Sequence, residues 1–178
     1  QQVFGINYKK VVLTGDSAGG SLVTALTVMA INRNFRVPDA VLASYPTTIA
    51  STCNFWPSML SAMDDPVLSV SFLNLMAKAY TPETHPFLGT INQYMSPGLC
   101  ASDEVLKKFP KYRIILAGVC PLKDDGIYFF NRLLKNGVDA KCKEFVLLPH
   151  GFLNYNLPYG RGMEESKPAI DKIGEMLF

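Results

Sequence analysis

The first fifty residues alternate short apolar runs with a segment of helical spacing. Residues 11–14 form an apolar run that predicts a buried strand, and residues 40–44 predict a second strand. Residues 18–32, between them, carry apolar positions at the spacing of a helix. The apolar face of that predicted helix consists of Leu22, Ala25, Leu26 and Met29.

The same alternation continues in the second half of the chain. Residues 113–119 and 144–148 predict a third and a fourth strand. Residues 124–136, between them, predict a helix with acidic residues at its start and Gly137 just past its end. Residues 164–178 predict a closing helix. Strands that alternate with helices indicate an α/β fold with about four parallel strands flanked by helices.

Residues 47–100 interrupt this alternation and are rich in Ser, Thr, Pro and Met. Asp65 followed by Pro66 is typical of a helix start and predicts a helix over 67–80. The chain as a whole has 178 residues, which suits one domain. We therefore interpret residues 47–100 as an insertion within a single domain.

Composition and charge exclude several classes of function. Hydrophobic residues make up 48% of the chain and the net charge is only +2, so we expect a globular domain without a nucleic-acid partner. The longest apolar run, residues 21–31, is too short for a transmembrane segment. The cysteines form no C-x-x-C pair, so we expect no metal site and no cofactor. They are Cys53, Cys100, Cys120 and Cys142.

The strongest chemical motif is GDSAG at residues 15–19, which fits the pattern G-x-S-x-G. It lies between a predicted strand and a predicted helix, the context of a nucleophile elbow, in which a strained turn exposes a serine hydroxyl. Ser17 is therefore the candidate nucleophile, and the backbone N–H of Ala18 is the candidate oxyanion donor.

A serine nucleophile needs a base, and the chain has only two histidines. His85 lies in an irregular segment and is predicted to be a surface residue. His150 follows the fourth predicted strand, where the order Ser, acid, His of this kind of fold places the base. We therefore predict that His150 is the general base.

Several motifs together resemble the hormone-sensitive lipase family of α/β-hydrolases. The similarity extends over nearly the whole chain, up to about residue 157. The stretches that carry the resemblance are GDSAGG at 15–20, RVPD at 36–39, ASYP at 43–46, PSML at 57–60, MDDPVL at 63–68, MSP at 95–97, PLKDD at 121–125 and LPHGFL at 148–153.

The resemblance implies a serine esterase or lipase that cleaves acyl esters such as acylglycerols through an acyl-enzyme. It implies Ser17 as nucleophile, His150 as base and Ala18 N–H as one oxyanion donor. Residues 47–100 would form a lid-like helical insertion that contributes to the acyl pocket. It also implies a cytoplasmic location, with lipid-droplet or membrane association as an alternative.

The chain departs from the family pattern in two places. The family's HGGG-type oxyanion loop lies well upstream of the elbow, and only fourteen residues precede Gly15. We therefore expect residues 1–178 to be the C-terminal part of one catalytic domain, holding the last four of eight strands, and nearly inactive alone. At the family's acid position stands Cys120.

The sequence therefore offers no obvious residue as the acid partner of His150. A neutral thiol gives an imidazolium no counter-charge, so Cys120 is a poor acid. Asp124 and Asp125 suit the start of the helix that follows, and Asp124 is the candidate that could turn toward His150. Asp64 and Asp65 are expected to face solvent or to cap a helix.

Two other interpretations stay open, and Cys120 is the reason for the first of them. One is a catalytically impaired homologue or binding module, as in the gibberellin receptors of this fold family, which kept the pocket and lost a triad member. The other is an inactive fragment of a lipase that lacks its oxyanion loop. Against a binding module, the chain keeps both Ser17 and His150.

Overall fold

In the computed structural model of the chain, the structure describes residues 9–50, 55–80, 92–155, 171, 172, 174 and 175. Strands and helices alternate along these residues except between the second and third strands, where four helices follow one another. In chain order they are β1 (Val12–Asp16), α1 (Ala18–Asn32), β2 (Ala40–Ser44), α2 (Pro57–Ser61), α3 (Val70–Tyr80), α4 (Pro97–Cys100), α5 (Asp103–Leu106), β3 (Lys111–Val119), α6 (Lys123–Lys135), β4 (Ala140–Pro149) and a 3₁₀ helix (Phe152–Tyr155).

The described strands form one parallel sheet in the order β1-β2-β3-β4. The predicted α/β class with about four parallel strands flanked by helices is therefore confirmed. β2 has the predicted bounds, whereas β3 and β4 extend beyond the predicted ranges 113–119 and 144–148. Of the helix predicted over 164–178, the structure describes four residues, which are helical; the rest lies outside the described residues.

The core lies on both faces of the sheet, because successive side chains of a strand point to opposite faces. On one face, Val41 of β2 and Ile114 of β3 pack in a cluster that includes Phe129 and Leu133 of α6. On the other face, alternate residues of the same strands pack in a second cluster. That cluster consists of Leu42, Tyr45, Leu68, Ile115, Ala117, Cys120, Leu122, Leu148 and Phe152.

Helix α1 buries Ala25 of the predicted apolar face but exposes other residues of that face. Leu22 is 63% exposed and Leu26 50% exposed, while Thr24, Thr27 and Val28 are fully buried. The hydroxyls of the two buried threonines donate to the helix's own carbonyls, which lowers the cost of burying them. The predicted face was built from apolar residues alone and so did not include these threonines.

Strand β1 is likewise not buried as predicted. Its residues alternate between exposed and partly buried, and it lies at one side of the described sheet with β2 as its neighbour. Within residues 47–100, α3 begins at Val70, three residues later than predicted. The lid-like role of this segment remains a prediction.

Candidate active site

The predicted nucleophile, the predicted base and the residue at the expected acid position lie at one edge of the sheet. Ser17 follows β1, Cys120 follows β3, and His150 follows β4. The carboxyl ends of parallel strands meet at the same edge, where open α/β sheets place their ligands. The register pairs Val119 with Pro149, so the residues that come next, Cys120 and His150, are brought side by side.

Ser17 occupies a strained turn between β1 and α1. Its φ is 54°, a left-handed conformation that is uncommon for a residue with a side chain. Gly15 allows this turn, because a Cβ there would lie 2.3 Å from the carbonyl oxygen of Gly19. Ala18 is the first residue of α1, so its amide lies at the positive end of a 15-residue helix.

His150 lies within hydrogen-bond distance of Ser17. The distance from Nε2 to the Ser17 Oγ is 2.8 Å, across a sequence separation of 133 residues. The imidazole is buried, and the ring of Tyr45 packs against it with 5.0 Å between the ring centroids. Burial lowers the pKa of His150 below its usual value, so the neutral ring, which can accept a proton, is favoured.

The other nitrogen of the imidazole faces Cys120. The distance from Nδ1 to the Cys120 Sγ is 3.2 Å, and the same sulfur accepts a hydrogen bond from the Leu122 amide at 3.4 Å. Burial raises the pKa of the Cys120 thiol to about 12, so this side chain is uncharged near neutral pH. The contacts thus link Ser17 to His150 and His150 to Cys120, and this hydrogen-bond network ends in the neutral Cys120 thiol.

Asp124 does not turn toward His150, which corrects the hypothesis that it replaces the acid. Its carboxylate accepts a hydrogen bond from the Ser58 amide at 2.8 Å, because the first turn of α6 faces α2. Asp125 is buried and accepts from the Thr48 hydroxyl and from the Ile49 amide. Burial raises its pKa to about 7.

Asp65 is a residue of the site that the sequence analysis missed. It is 4% exposed, and its Oδ2 accepts a hydrogen bond from the His150 amide at 2.9 Å. The sequence marked Asp65 as a helix cap, and it does accept from the Val67 and Leu68 amides. Its second contact joins residues 85 positions apart, so no local pattern indicated it.

A cavity of about 250 Å³ opens beside Ser17 and is lined mainly by apolar atoms. Helix α3 contributes one wall, and the segment after β2 contributes another. The lining residues include Ser17, Ala18, Leu22, Ile49, Trp56, Met59, Leu68, Leu73, Met76, Ala77, Tyr80 and Leu122. Such a cavity suits the apolar part of a small molecule placed against the Ser17 hydroxyl.

Two other kinds of feature are absent from the described part of the chain. No group of three His, Cys, Asp or Glu side chains there is arranged to hold a metal ion. Nor does any helix in those residues have the length and apolar character needed to cross a membrane. His85 lies outside the described residues.

Comparison with known proteins places these residues in a larger context. The model of a family described as having the alpha/beta hydrolase fold matches residues 1–154. An esterase of Fusarium pseudograminearum is 32% identical over 143 residues, which are 80% of this chain and 43% of that protein. The hormone-sensitive lipase of Mus musculus is 38% identical over 80 residues, which are 44% of this chain and 10% of that protein.

A solved structure has a similar fold. Carboxyl esterase 2 of Tuber melanosporum superposes with a TM-score of 0.84 at 28% identity, over 97% of this chain and 54% of that one. The resemblance to hormone-sensitive lipase and related esterases is thereby confirmed. The chain spans about half the length of the esterases that it matches.

Proposed function

The chain belongs to the α/β-hydrolase family, and we propose that it is part of a serine carboxylester hydrolase with Ser17 as nucleophile. The observation that carries the proposal is the 2.8 Å contact between the Ser17 Oγ and the His150 Nε2 at a strained elbow. A serine hydroxyl held against a neutral, buried imidazole is the arrangement that activates a serine.

In the proposed reaction, the Ser17 Oγ attacks the ester carbonyl carbon while its proton passes to the His150 Nε2. The Ala18 N–H, at the start of α1, donates to the oxyanion of the tetrahedral intermediate. His150 then gives its proton to the departing alcohol, and an acyl-enzyme remains on Ser17. A water molecule, deprotonated by His150, hydrolyses that acyl-enzyme in the same way.

For Nε2 to accept a proton, the other ring nitrogen must carry one, and that N–H points to the Cys120 sulfur. Cys120 is compatible with this tautomer, because its sulfur can accept from the Nδ1–H as it accepts from the Leu122 amide. It gives no counter-charge when the ring becomes cationic, because its raised pKa keeps the thiol neutral. This observation also favours a second candidate function, an impaired hydrolase that binds acyl esters and turns them over slowly.

The cavity beside Ser17 supports acyl esters, such as acylglycerols, as the substrate class. Its wall on α3 is formed by Leu73, Met76 and Ala77, with Tyr80 at the helix end. An acyl chain in this space would remove apolar surface from water, while its carbonyl carbon would lie near the Ser17 hydroxyl. We propose residues 47–100 as the lid and pocket insertion of the domain.

The chain's coverage of its relatives supports one further part of this proposal. Because it spans 43% of the fungal esterase and 54% of the Tuber enzyme, we propose that residues 1–178 are the C-terminal part of one catalytic domain. The remaining part would supply the other oxyanion donors, and loss of one such donor typically lowers kcat by about 10²–10³. Residues 1–178 alone should then be nearly inactive.

The experiment is fluorophosphonate labelling of the full-length protein, followed by hydrolysis of a panel of esters with different chain lengths. Ser17→Ala should abolish labelling, and His150→Ala should slow it severely. Ser61→Ala, which changes an exposed serine of α2, is the control and should label at the wild-type rate. Unchanged labelling of the Ser17→Ala protein would refute the assignment of the nucleophile.

A further inference from the structure

The backbone of His150 is held by a buried carboxylate that the proposed mechanism has not used. The Asp65 Oδ2 accepts from the His150 amide at 2.9 Å. Its Oδ1 accepts from the Val67 amide at 2.8 Å and from the Leu68 amide at 2.9 Å. Both oxygens are therefore fixed by backbone donors, and the side chain is 4% exposed. A carboxylate that is buried and so held keeps its position when the neighbouring imidazole changes its charge.

Among the described residues, the other groups around the imidazole cannot provide a strong negative charge. The Cys120 thiol is neutral, and the Tyr45 side chain presents its ring. Asp16 lies on the elbow side, where its carboxylate accepts from the Asn154 side chain at 3.0 Å. Asp16 is exposed, so water and salt screen its charge. Asp65 is the buried negative charge that contacts the residue carrying the imidazole.

The effect of Asp65 on the imidazole has a defined sign. Burial is the main influence and lowers the pKa of His150, while the Asp65 and Asp16 carboxylates raise it. A carboxylate favours the charged form of a nearby imidazole, and this attraction is stronger in a buried, weakly screened place. The same attraction acts on the transition state in which His150 has taken the Ser17 proton.

We propose that Asp65 is a positioning residue that supplies the counter-charge for the His150 imidazolium, a role that the neutral Cys120 cannot perform. The inference rests on the proposed function, in which His150 takes a proton from Ser17. The two tasks of the usual acid are then divided. The Cys120 sulfur orients the imidazole through Nδ1. The Asp65 carboxylate, which accepts a hydrogen bond from the His150 amide, stabilises the positive charge that forms on the ring.

The main test compares Asp65→Asn with Asp64→Asn in the full-length protein. Both variants remove one carboxylate from neighbouring positions, but Asp64 is exposed. The first readout is the pKa of the His150 imidazole by NMR, assigned by loss of its signal in His150→Ala. Asp65→Asn should lower this pKa by about half a unit to one unit, and the plateau value of kcat by about tenfold. Asp64→Asn should leave both at wild-type values.

The second test places Asp65→Asn in a Cys120→Asp background. A carboxylate introduced next to Nδ1 would take over the counter-charge, so the further loss from Asp65→Asn should shrink to about twofold. Two residues that serve the same charge are expected to be non-additive in this way. A merely structural role of Asp65 predicts the same loss in both backgrounds, and that result would overturn the proposal.

A separate control addresses folding. Asp65→Ser keeps a side-chain oxygen that can accept from the Val67 and Leu68 amides, and it removes the charge. It should lower the His150 pKa as Asp65→Asn does. A loss of kcat with an unchanged His150 pKa, in either variant, would assign Asp65 to the loop structure alone and refute the proposal. If Ser17 is not labelled by fluorophosphonate while the pKa shift is present, the proposed function fails and the charge coupling stands.

Discussion

Two loops at the same edge of the sheet meet at His150, and they differ in how they determine the site. The loop after β1 holds Ser17 through the backbone, by a strained φ and close contacts at glycine. The loop after β3 contacts His150 through one side chain, that of Cys120, whose Sγ lies 3.2 Å from the His150 Nδ1. The first loop fixes the Ser17 side chain by backbone strain, and the second presents a neutral thiol to His150.

The difference shows that position and charge are separate requirements. The register between β3 and β4 brings residue 120 to His150 whatever its side chain is, because the strand pairing continues up to Val119 and Pro149. Geometry is therefore preserved at this position. The charge depends on the side chain alone, so a single replacement removes it without altering the fold. Variants in the first loop should affect structure and activity together, and variants in the second should affect activity or its pH dependence.

The largest effect is expected from Gly15→Ala in the first loop. The added Cβ would lie 2.3 Å from the Gly19 carbonyl oxygen and 2.4 Å from its carbon, so backbone must move. We expect the free energy of unfolding to fall by about 3 kcal/mol and fluorophosphonate labelling to fall by at least about a thousandfold. Urea unfolding and labelling rates measure the two effects.

Gly19→Ala is the matched control for this variant. A Cβ at Gly19 meets only the Asp16 side chain, at 3.9 Å. Since Gly19 lies in α1, the change to alanine should leave stability unchanged or raise it by up to about 1 kcal/mol. If Gly15→Ala were as stable as Gly19→Ala, the close approach at the elbow would not be a structural requirement.

The next largest effect is expected from Cys120→Asp in the second loop. A carboxylate beside Nδ1 should stabilise the imidazolium and raise kcat by about a hundredfold. This is less than the factor of about 10⁴ known for loss of the acid in chymotrypsin-type enzymes, because the sulfur already contacts Nδ1 and can accept from its N–H. Cys120→Ser, which stays neutral, should remain within about tenfold of the wild-type kcat. Equal rates for the two variants would show that charge at this position does not limit the reaction.

A smaller effect, on stability, is expected from Asp125→Asn. The pKa of Asp125 is raised to about 7 by burial, from an unfolded value near 3.8. At a pH between these two pKa values, Asp125 is deprotonated in the unfolded chain and protonated in the folded chain. The contribution of Asp125 to the free energy of unfolding is therefore highest at low pH and falls as pH rises toward 7. Wild-type protein should lose about 2 kcal/mol relative to the variant between pH 5 and pH 8. Urea unfolding of both proteins at the two pH values is the measurement. If the stability of the wild type and of Asp125→Asn changed equally with pH, the prediction would be wrong.

The elbow was predictable from the sequence because its signal is local. The GDSAG motif between an apolar strand and a helix specifies a turn within a few residues, and the structure shows that turn with Ser17 at φ 54°. His150 was predictable because the parallel order of strands places it at the same edge of the sheet. Both predictions used the chain order and periodicity, which the sequence displays directly.

The predictions that failed depend on partners distant in the sequence. The sequence predicted Leu22 and Leu26 as core positions. Helix α1 instead buries Thr24 and Val28, whose neighbours lie in other elements of the fold. Asp65 read as a helix cap, and its contact with the His150 amide depends on how two loops 85 residues apart come together. The orientation of Asp124 toward Ser58 rather than His150 has the same origin.

The smallest expected effect concerns the pH at which hydrolysis declines in acid. Only neutral His150 can accept the Ser17 proton, so kcat/KM should be lost as pH falls through the pKa of His150 in the free enzyme. Burial lowers that pKa, and the wild-type acid limb should therefore lie below the usual value of about 6.5. In Cys120→Asp the new carboxylate favours the imidazolium, which should move the limb to higher pH by about 1–3 units. Cys120→Ser should not move it. A limb at the same pH in Cys120→Asp and Cys120→Ser would mean that residue 120 does not contact the base in solution.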